Sequence, residues 1–375
     1  MKRTAVIMAG GSGERFWPLS RKRKPKQLLA LESDKMMLEQ AINRILPTIL
    51  SNDIYIITSE LLLEPIRKAI SLLPPENILA EPFKRNTAPC LALAASFIEA
   101  KYSADYKREE ISIAVLTADQ SIKPDSGFAK TIETTLDFVE NNNVIATIGI
   151  IPSRPETGYG YIEISDSFSA DANEAEMLSV VKFHEKPELA RSNQYLEAGN
   201  YLWNSGMFFW RLDVFAEQMK KHLPAVGGAI DDMCELAKGK TNTAHNTAFN
   251  FVADIFERFP DISIDFGLME KADNVVVAKA LFDWDDIGSW DSLDRIKKKN
   301  SKSNIIEGVA SLHDVSNSTI INKSTDNKII VAGIGMDNFV IVVTDDAVLV
   351  CPKERVQEVK QCVKQIRESD NDKWL

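Results

Sequence analysis

The chain has 375 residues, enough for one large core or two unequal ones, with the balance of apolar and charged residues of a globular protein. Its 44 Lys and Arg stand against 54 Asp and Glu, a net charge of −10, which argues against a general nucleic-acid or anionic-membrane footprint. An anionic ligand would have to be met by cations gathered locally.

Four cysteines, Cys90, Cys234, Cys351 and Cys362, form neither a CxxC pair nor a zinc spacing, and reduced thiols are expected. No stretch approaches the roughly 20 apolar residues of a membrane span. Lys2-Arg3 and the short apolar run after it imitate a signal peptide only until Glu14-Arg15, so an unexported, cytoplasmic protein is expected.

The first half alternates β-branched runs with amphipathic stretches, the pattern of βα units around a mainly parallel sheet. Strands are predicted over Thr4–Ala9, Ile54–Thr58, Ile78–Ala80, Ile111–Thr117 and Val144–Ile150. Helices are predicted over Met37–Leu46, Leu61–Leu73, Ala88–Ala100 and Phe128–Val139. From Pro152 to Trp210 shorter extended pieces, Tyr159–Ile164, Leu178–His184 and Gly206–Trp210, read as an inserted antiparallel layer. A helical region from Leu212 to about Cys234, a polar loop over Gly239–Asn250 and a strand over Val275–Leu281 follow. The basic run Arg295 to Lys299 reads as a solvated helix end. Beyond Asn300 come β-rich pieces, Ile305–Leu312, Thr319–Ile321, Lys328–Val331, Phe339–Thr344 and Ala347–Cys351, and a helix over Pro352–Glu368. No clean hexapeptide repeat is visible, so a small accessory β domain rather than a full β-helix is expected. The fold class is therefore α/β, a Rossmann-like mixed, mainly parallel sheet flanked by helices, over residues 1–299, with a small C-terminal β-rich domain over 300–375.

Directly after the first strand stands Gly10-Gly11-Ser12-Gly13, at the strand end where open α/β sheets place ligands. Glycines there let several backbone N–H groups converge on a phosphate, although glycine also serves plain turns. The third glycine of a dinucleotide fingerprint is replaced by Phe16, and no GxxxxGK loop is present. Arg15, Arg21, Lys22, Arg23, Lys24 and Lys26 then put six cations into twelve residues. This reads as a clamp for a polyphosphate, with a solvated basic turn or a nuclear-localisation-like cluster as the alternatives. Asp119 follows the strand Ile111–Thr117 at the same sheet edge, and Asp283-Trp284-Asp285-Asp286 follows the strand from Val275. Asp119 and Asp286 are candidates for Mg²⁺, which takes one or two carboxylates and completes its shell with phosphate and water. The alternative is a helix cap and an acidic surface turn.

Across nearly its whole length the sequence resembles the sugar-1-phosphate nucleotidyltransferases, in particular the branch using GTP and mannose 1-phosphate. The resemblance rests on Gly10 to Arg21, which matches the GxGxRxxPL signature, followed by Pro25-Lys26-Gln27. It is supported by ordered blocks: Glu81-Pro82 with Arg85-Asn86-Thr87-Ala88-Pro89, Thr157 to Ile162, Phe183 to Pro187, Trp203 to Phe208 and Trp284 to Trp290. The resemblance implies that Gly10, Gly11 and Gly13 hold the nucleotide, that Arg15 and Lys26 contact its phosphates, and that Asn86 and Thr87 lie near the base. It implies that Asp119 and Asp286 bind Mg²⁺, that Gly160, Glu185 and Asn204 contact the sugar, and that Lys186 holds the sugar phosphate. The implied reaction is guanylyl transfer from GTP to α-D-mannose 1-phosphate, giving GDP-mannose and pyrophosphate. Another nucleotide or hexose 1-phosphate, a non-catalytic paralogue binding sugar nucleotide, and an NAD-dependent oxidoreductase are the rival readings.

One departure from the family pattern is Thr117-Ala118-Asp119-Gln120, where relatives often carry Pro-Ala-Asp-His. A monofunctional transferase without an isomerase domain is expected, acting on small molecules with no nucleic-acid or membrane partner and open to homodimer formation.

Overall fold

A computed structural model describes residues 1–165, 175–241, 250–369 and 371–375. The chain gathers into two compact units, each drawn from separated stretches. The first consists of Met1–Gly10, Ala41–Thr117 and Ile122–Trp284, and the second of Gly11–Gln40, Ala118–Ser121 and Asp285–Leu375. No described helix is long and apolar enough to cross a membrane.

The first unit is built on a nine-stranded mixed sheet whose strands in chain order are β1 (Lys2–Met8), β2 (Ile54–Ser59), β3 (Ile78–Glu81), β4 (Ile111–Thr117), β5 (Ile145–Ile150), β6 (Gly160–Ile164), β7 (Met177–Glu185), β8 (Tyr201–Arg211) and β9 (Val275–Lys279). Their spatial order is β3-β2-β1-β4-β8-β5-β9-β7-β6. The half β3-β2-β1-β4 is parallel, and its strands are near-continuous apolar runs because both faces are covered. The long strand β8 enters antiparallel between β4 and β5, β9 runs parallel to β5, and β7 and β6 finish the sheet antiparallel. Helix α1 (Thr87–Tyr102) is apolar on all sides, with Ala88, Leu91 to Ala95, Phe97 and Ile98 buried, as a helix inside a core must be. The amphipathic helix α2 (Asp125–Asn141) buries Phe128, Ile132, Leu136 and Val139. Residues 242–249 of the expected polar loop lie outside the described residues.

The second unit goes beyond the small β domain expected. Strands β10 (Ile305–Glu307), β12 (Thr319–Asn322) and β14 (Phe339–Val343) stack in parallel, and β15 (Val348–Pro352) closes that sheet antiparallel. A second parallel pair, β11 (Ala310–Ser316) with β13 (Val331–Asp337), forms another side. This is the winding of a short β-helix. A ladder of side chains holds successive turns in register. The Asn304 amide oxygen accepts from the Ser318 N–H at 2.9 Å, and the Ser318 hydroxyl accepts from the Phe339 N–H at 3.1 Å. The first step spans 14 residues and the second 21, so no constant period is written in the sequence.

The second unit's main core combines residues that sequence order keeps far apart. Phe16, Trp17, Leu29, Leu31 and Met37 from the N-terminal stretch pack with Trp290, Ile321, Val340, Leu349 and, from the terminal helix α3 (Val359–Glu368), Val359 and Val363. Phe16 meets the fully buried Trp290 edge to face at 5.0 Å, and the Trp290 indole N–H donates to the Trp17 carbonyl at 3.2 Å. The Trp17 indole N–H donates to the Trp374 carbonyl at 2.8 Å. The glycine-rich loop is thus anchored by the C-terminal stretch. Trp290→Ala should cost about 3–5 kcal/mol, the usual range for a fully buried large aromatic; denaturant unfolding monitored by circular dichroism measures this, and an unchanged midpoint would contradict the packing account.

Candidate functional site

Two groups of candidate residues are assembled separately, one in each unit. In the second unit a cavity of about 400 Å³ is lined by Gly13, Arg15, Lys26, Asp119, Asp286 and Lys360, among others. Lys26 is its structural centre. Its ammonium is buried, donating to Asp119 Oδ2 at 2.9 Å and to the Asp286 carbonyl at 2.7 Å, and it lies 5.9 Å from the Phe16 ring centroid. Gly13 is required by this arrangement, because it has φ +62° and an added Cβ would come within 2.4 Å of Lys26 Cβ. Gly11 has no protein atom within 4 Å of such a Cβ, nor has Gly10 in the first unit, and both are exposed. Crowding by the protein therefore explains one of the three glycines, and the openness at the other two suits close approach of a ligand to the backbone.

The six loop cations separate by use. Arg15 and Lys26 line the cavity. Arg21 instead donates to the carbonyls of Pro18 and Trp374 and pairs with Asp346 at 2.7 Å, a structural role. Lys22, Arg23 and Lys24 are exposed, and the main chains of Arg21 and Lys24 pair across a tight turn.

The acidic cluster divides in the same way. Asp285 is buried, accepts from the Ile287 N–H at 2.9 Å and pairs with Arg295, which gives that member of the basic run a structural task. Asp286 lines the cavity, and an added Cβ on Gly288 would fall 2.8 Å from its carboxylate. Ile287, which separates Asp286 from Gly288, has φ +44°, a costly conformation for a β-branched residue and one that clusters at functional sites.

Asp119 and Asp286 are two carboxylates on one cavity, and no group of three or more His, Cys, Asp or Glu among the described residues forms a protein-only metal cage. That donor set fits a hard divalent cation that arrives with phosphate and keeps phosphate and water as its other ligands.

The other group lies in the first unit at the β6–β7–β8 end of the sheet. Gly160 and Glu185 are cross-strand partners, and a Cβ on Gly160 would come within 2.6 Å of the Glu185 carboxylate, so the glycine gives that side chain its place. Asn204 lies where the β5–β8 register shifts, an irregularity of the kind that re-aims side chains beside active sites. Its amide oxygen accepts from the Gly206 N–H at 3.2 Å, and its Nδ2 donates to Asp265 Oδ1 at 2.8 Å. Lys186 is exposed, with φ +44° and its ammonium 3.5 Å from Glu185. Asn86, at φ +66°, caps α1 by accepting from the Thr87 N–H at 2.9 Å, and the Thr87 hydroxyl accepts from the Ile264 N–H at 2.8 Å. The segment Ile264-Asp265 therefore touches both the Thr87 block and Asn204.

Asp265 and Lys360 belong to none of the sequence motifs. Asp265 opens a π-helical turn, Asp265–Met269, an element frequent at functional sites. The available signal is one carboxylate set between Ile264 and the apolar Phe266-Gly267-Leu268-Met269. Burial and the nearby Glu185 carboxylate push its pKa up to about 6, against the Asn204 hydrogen bond and Lys186, which favour the anion. A raised carboxyl pKa means the folded state holds the proton more tightly, so this group's contribution to stability is full near pH 4 and is lost as pH rises through about 6. Asp265→Asn should accordingly gain in Tm relative to the parent protein between pH 4 and pH 8; a Tm difference that does not vary with pH would contradict this placement of the charge.

The sequence matches two family models, Nucleotidyl transferase over residues 4–303 and MannoseP isomerase/GMP-like beta-helix domain over residues 315–366. The mannose-1-phosphate guanylyltransferase of Klebsiella pneumoniae is 36% identical over 375 residues, covering 98% of this chain and 75% of that protein. The alginate biosynthesis protein AlgA of Pseudomonas aeruginosa is 37% identical over 364 residues, covering 96% of this chain and 71% of its own. Among solved structures, one from Thermus thermophilus, described as a mannose-1-phosphate geranyltransferase, superimposes with a TM-score of 0.83 at 30% identity, covering 98% of this chain and all of its own.

Proposed function

The chain belongs to the nucleotidyl transferase family, among the mannose-1-phosphate guanylyltransferases, and from that premise we propose how its residues divide the transfer of a guanylyl group from GTP to α-D-mannose 1-phosphate. The observation that carries the reading is the cavity in which Gly13, Lys26, Arg15, Asp119 and Asp286 meet.

An oxygen of the sugar phosphate attacks the α-phosphorus of GTP in line. The new O–P bond forms as the bond from the α-phosphorus to the bridging oxygen breaks, and that oxygen departs with its electron pair as part of pyrophosphate. Such a transfer asks for positioning and for neutralisation of charge. Arg15 and Lys26 stabilise charge on the departing phosphates. Gly10, Gly11 and Gly13 bring backbone N–H groups to the nucleotide, with Asn86 and Thr87 beside its base. Glu185 and Asn204 hydrogen-bond sugar hydroxyls, Gly160 leaves room for them, and Lys186 orients the attacking phosphate as a point charge.

The family works with a divalent metal ion; as Mg²⁺ it would be held by Asp119 and Asp286 and would supply charge neutralisation of the phosphate oxygens. Lys26 donates to Oδ2 of the same Asp119 carboxylate at 2.9 Å, which sets a fixed positive charge beside the group that would hold the ion.

The acidic net charge supports a protein without nucleic-acid partners, and the free cysteines support a reducing, cytoplasmic setting. We keep 1–299 as the transferase segment and 300–375 as the accessory segment in sequence terms, and a homodimer as the assembly to test.

Pyrophosphate release assayed with each nucleoside triphosphate and each hexose 1-phosphate tests the reaction. GTP with mannose 1-phosphate should be the productive pair, and release with none of the pairs would favour a binding paralogue. Lys26→Ala should lower kcat by on the order of 10²- to 10³-fold, the scale set by removing one group that stabilises transition-state charge; turnover near that of the parent in a folded variant would remove Lys26 from this role.

A further inference from the structure

Both acids and bases line the cavity of the second unit. Among the acids, Asp119 is held by Lys26, and Glu14 pairs with Arg367 of α3 at 2.7 Å. Of the lining cations, the Arg15 and Lys360 side chains have no hydrogen-bond or ion-pair partner among the described residues. Lys360 comes from α3, in the segment read from the sequence as accessory.

The helix that carries it is fixed to the glycine-rich loop. Val359 and Val363 are buried in the core that holds Phe16 and Trp17, and the Arg367–Glu14 pair ties the helix's last turn to the loop. Just before the helix, Gln357 donates to the Ser289 hydroxyl at 2.7 Å, joining it to the turn that follows Asp286. Lys360 is therefore presented to the cavity by an element anchored on both sides of it.

We propose that Lys360 is a phosphate-contacting residue of the nucleotide site, so that the C-terminal helix completes the triphosphate-binding cavity. This rests on reading that cavity as the polyphosphate site. The occupant is the triphosphate of the nucleotide, or the pyrophosphate it releases, rather than the sugar phosphate. Two unanswered cations on one cavity match a polyanion, and the sugar phosphate is already assigned its own lysine, Lys186. Lys360 is a flexible point charge suited to phosphate, and its exposure keeps its effect moderate and salt-dependent.

The test uses the full chain and inorganic pyrophosphate as probe, with binding measured by titration calorimetry and KM values measured in both reaction directions. Lys360→Ala should weaken pyrophosphate binding and raise the KM for GTP by about three- to tenfold, the scale of one charge-assisted contact at a partly exposed site. Lys360→Glu should do more, and Lys360→Arg should restore affinity to within about twofold of the parent. The KM for mannose 1-phosphate and the Tm should be unchanged, which a merely structural role for the lysine would not give. Pyrophosphate binding as tight in Lys360→Glu as in the parent would overturn the assignment of Lys360 alone. A parent protein that binds no pyrophosphate would overturn the polyphosphate reading of the cavity, and this inference with it.

Discussion

One buried ammonium holds the candidate phosphate site in shape. Lys26 Nζ joins the Asp119 carboxylate to the Asp286 carbonyl, so three stretches distant in sequence converge on a single point of charge. A buried charge is tolerated only when paired and hydrogen-bonded, and the two oxygens meet that demand. The geometry around it follows. Gly13 must lack a Cβ because Lys26 passes beneath it, and Gly288 leaves space for the Asp286 carboxylate. Removing Lys26 would leave Asp119 without its counter-charge as well as depriving a ligand of a cation, so stability and function are coupled at this residue.

The support for that centre comes from the C-terminal stretch. Phe16 and Trp17 flank the loop as buried anchors, and their partners are Trp290, the β-helix turns and α3. A loop rich in glycine has much conformational entropy to lose on ordering, and aromatic burial on its C-terminal flank offsets part of that cost. The accessory segment is thus part of what orders the loop, and Lys360 extends the same logic from packing to charge.

The first half of the fold is legible in the sequence because parallel central strands leave near-continuous β-branched runs, and β1, β2 and β4 fall within a residue or two of their predicted bounds. The β-helix is hidden by its unequal steps of 14 and 21 residues, which place stacking residues such as Asn304 and Ser318 off any constant period. Among candidate site residues, motif spacing marks Lys26, Asp119 and Asp286. Charge alone does not separate Arg15 from Arg21, since only the fold reveals that Arg21 is engaged by Trp374 and Asp346. Lys360 carries no local signal, because on an amphipathic helix a cavity-facing lysine reads like any solvated one. Asp265 does carry one, a carboxylate in an apolar run, but its partner Asn204 is brought to it by tertiary structure.

The proposed division of labour gives Lys26 to the nucleotide phosphates, while Asp119 and Asp286 would hold a divalent cation arriving with them. A crystal structure of the full chain with a non-hydrolysable GTP analogue and Mg²⁺ tests it most directly. Lys26 Nζ should contact a phosphate oxygen, and the cation should lie on Asp119 and Asp286. A bound nucleotide with Lys26 away from every phosphate oxygen and no cation on either aspartate would contradict it.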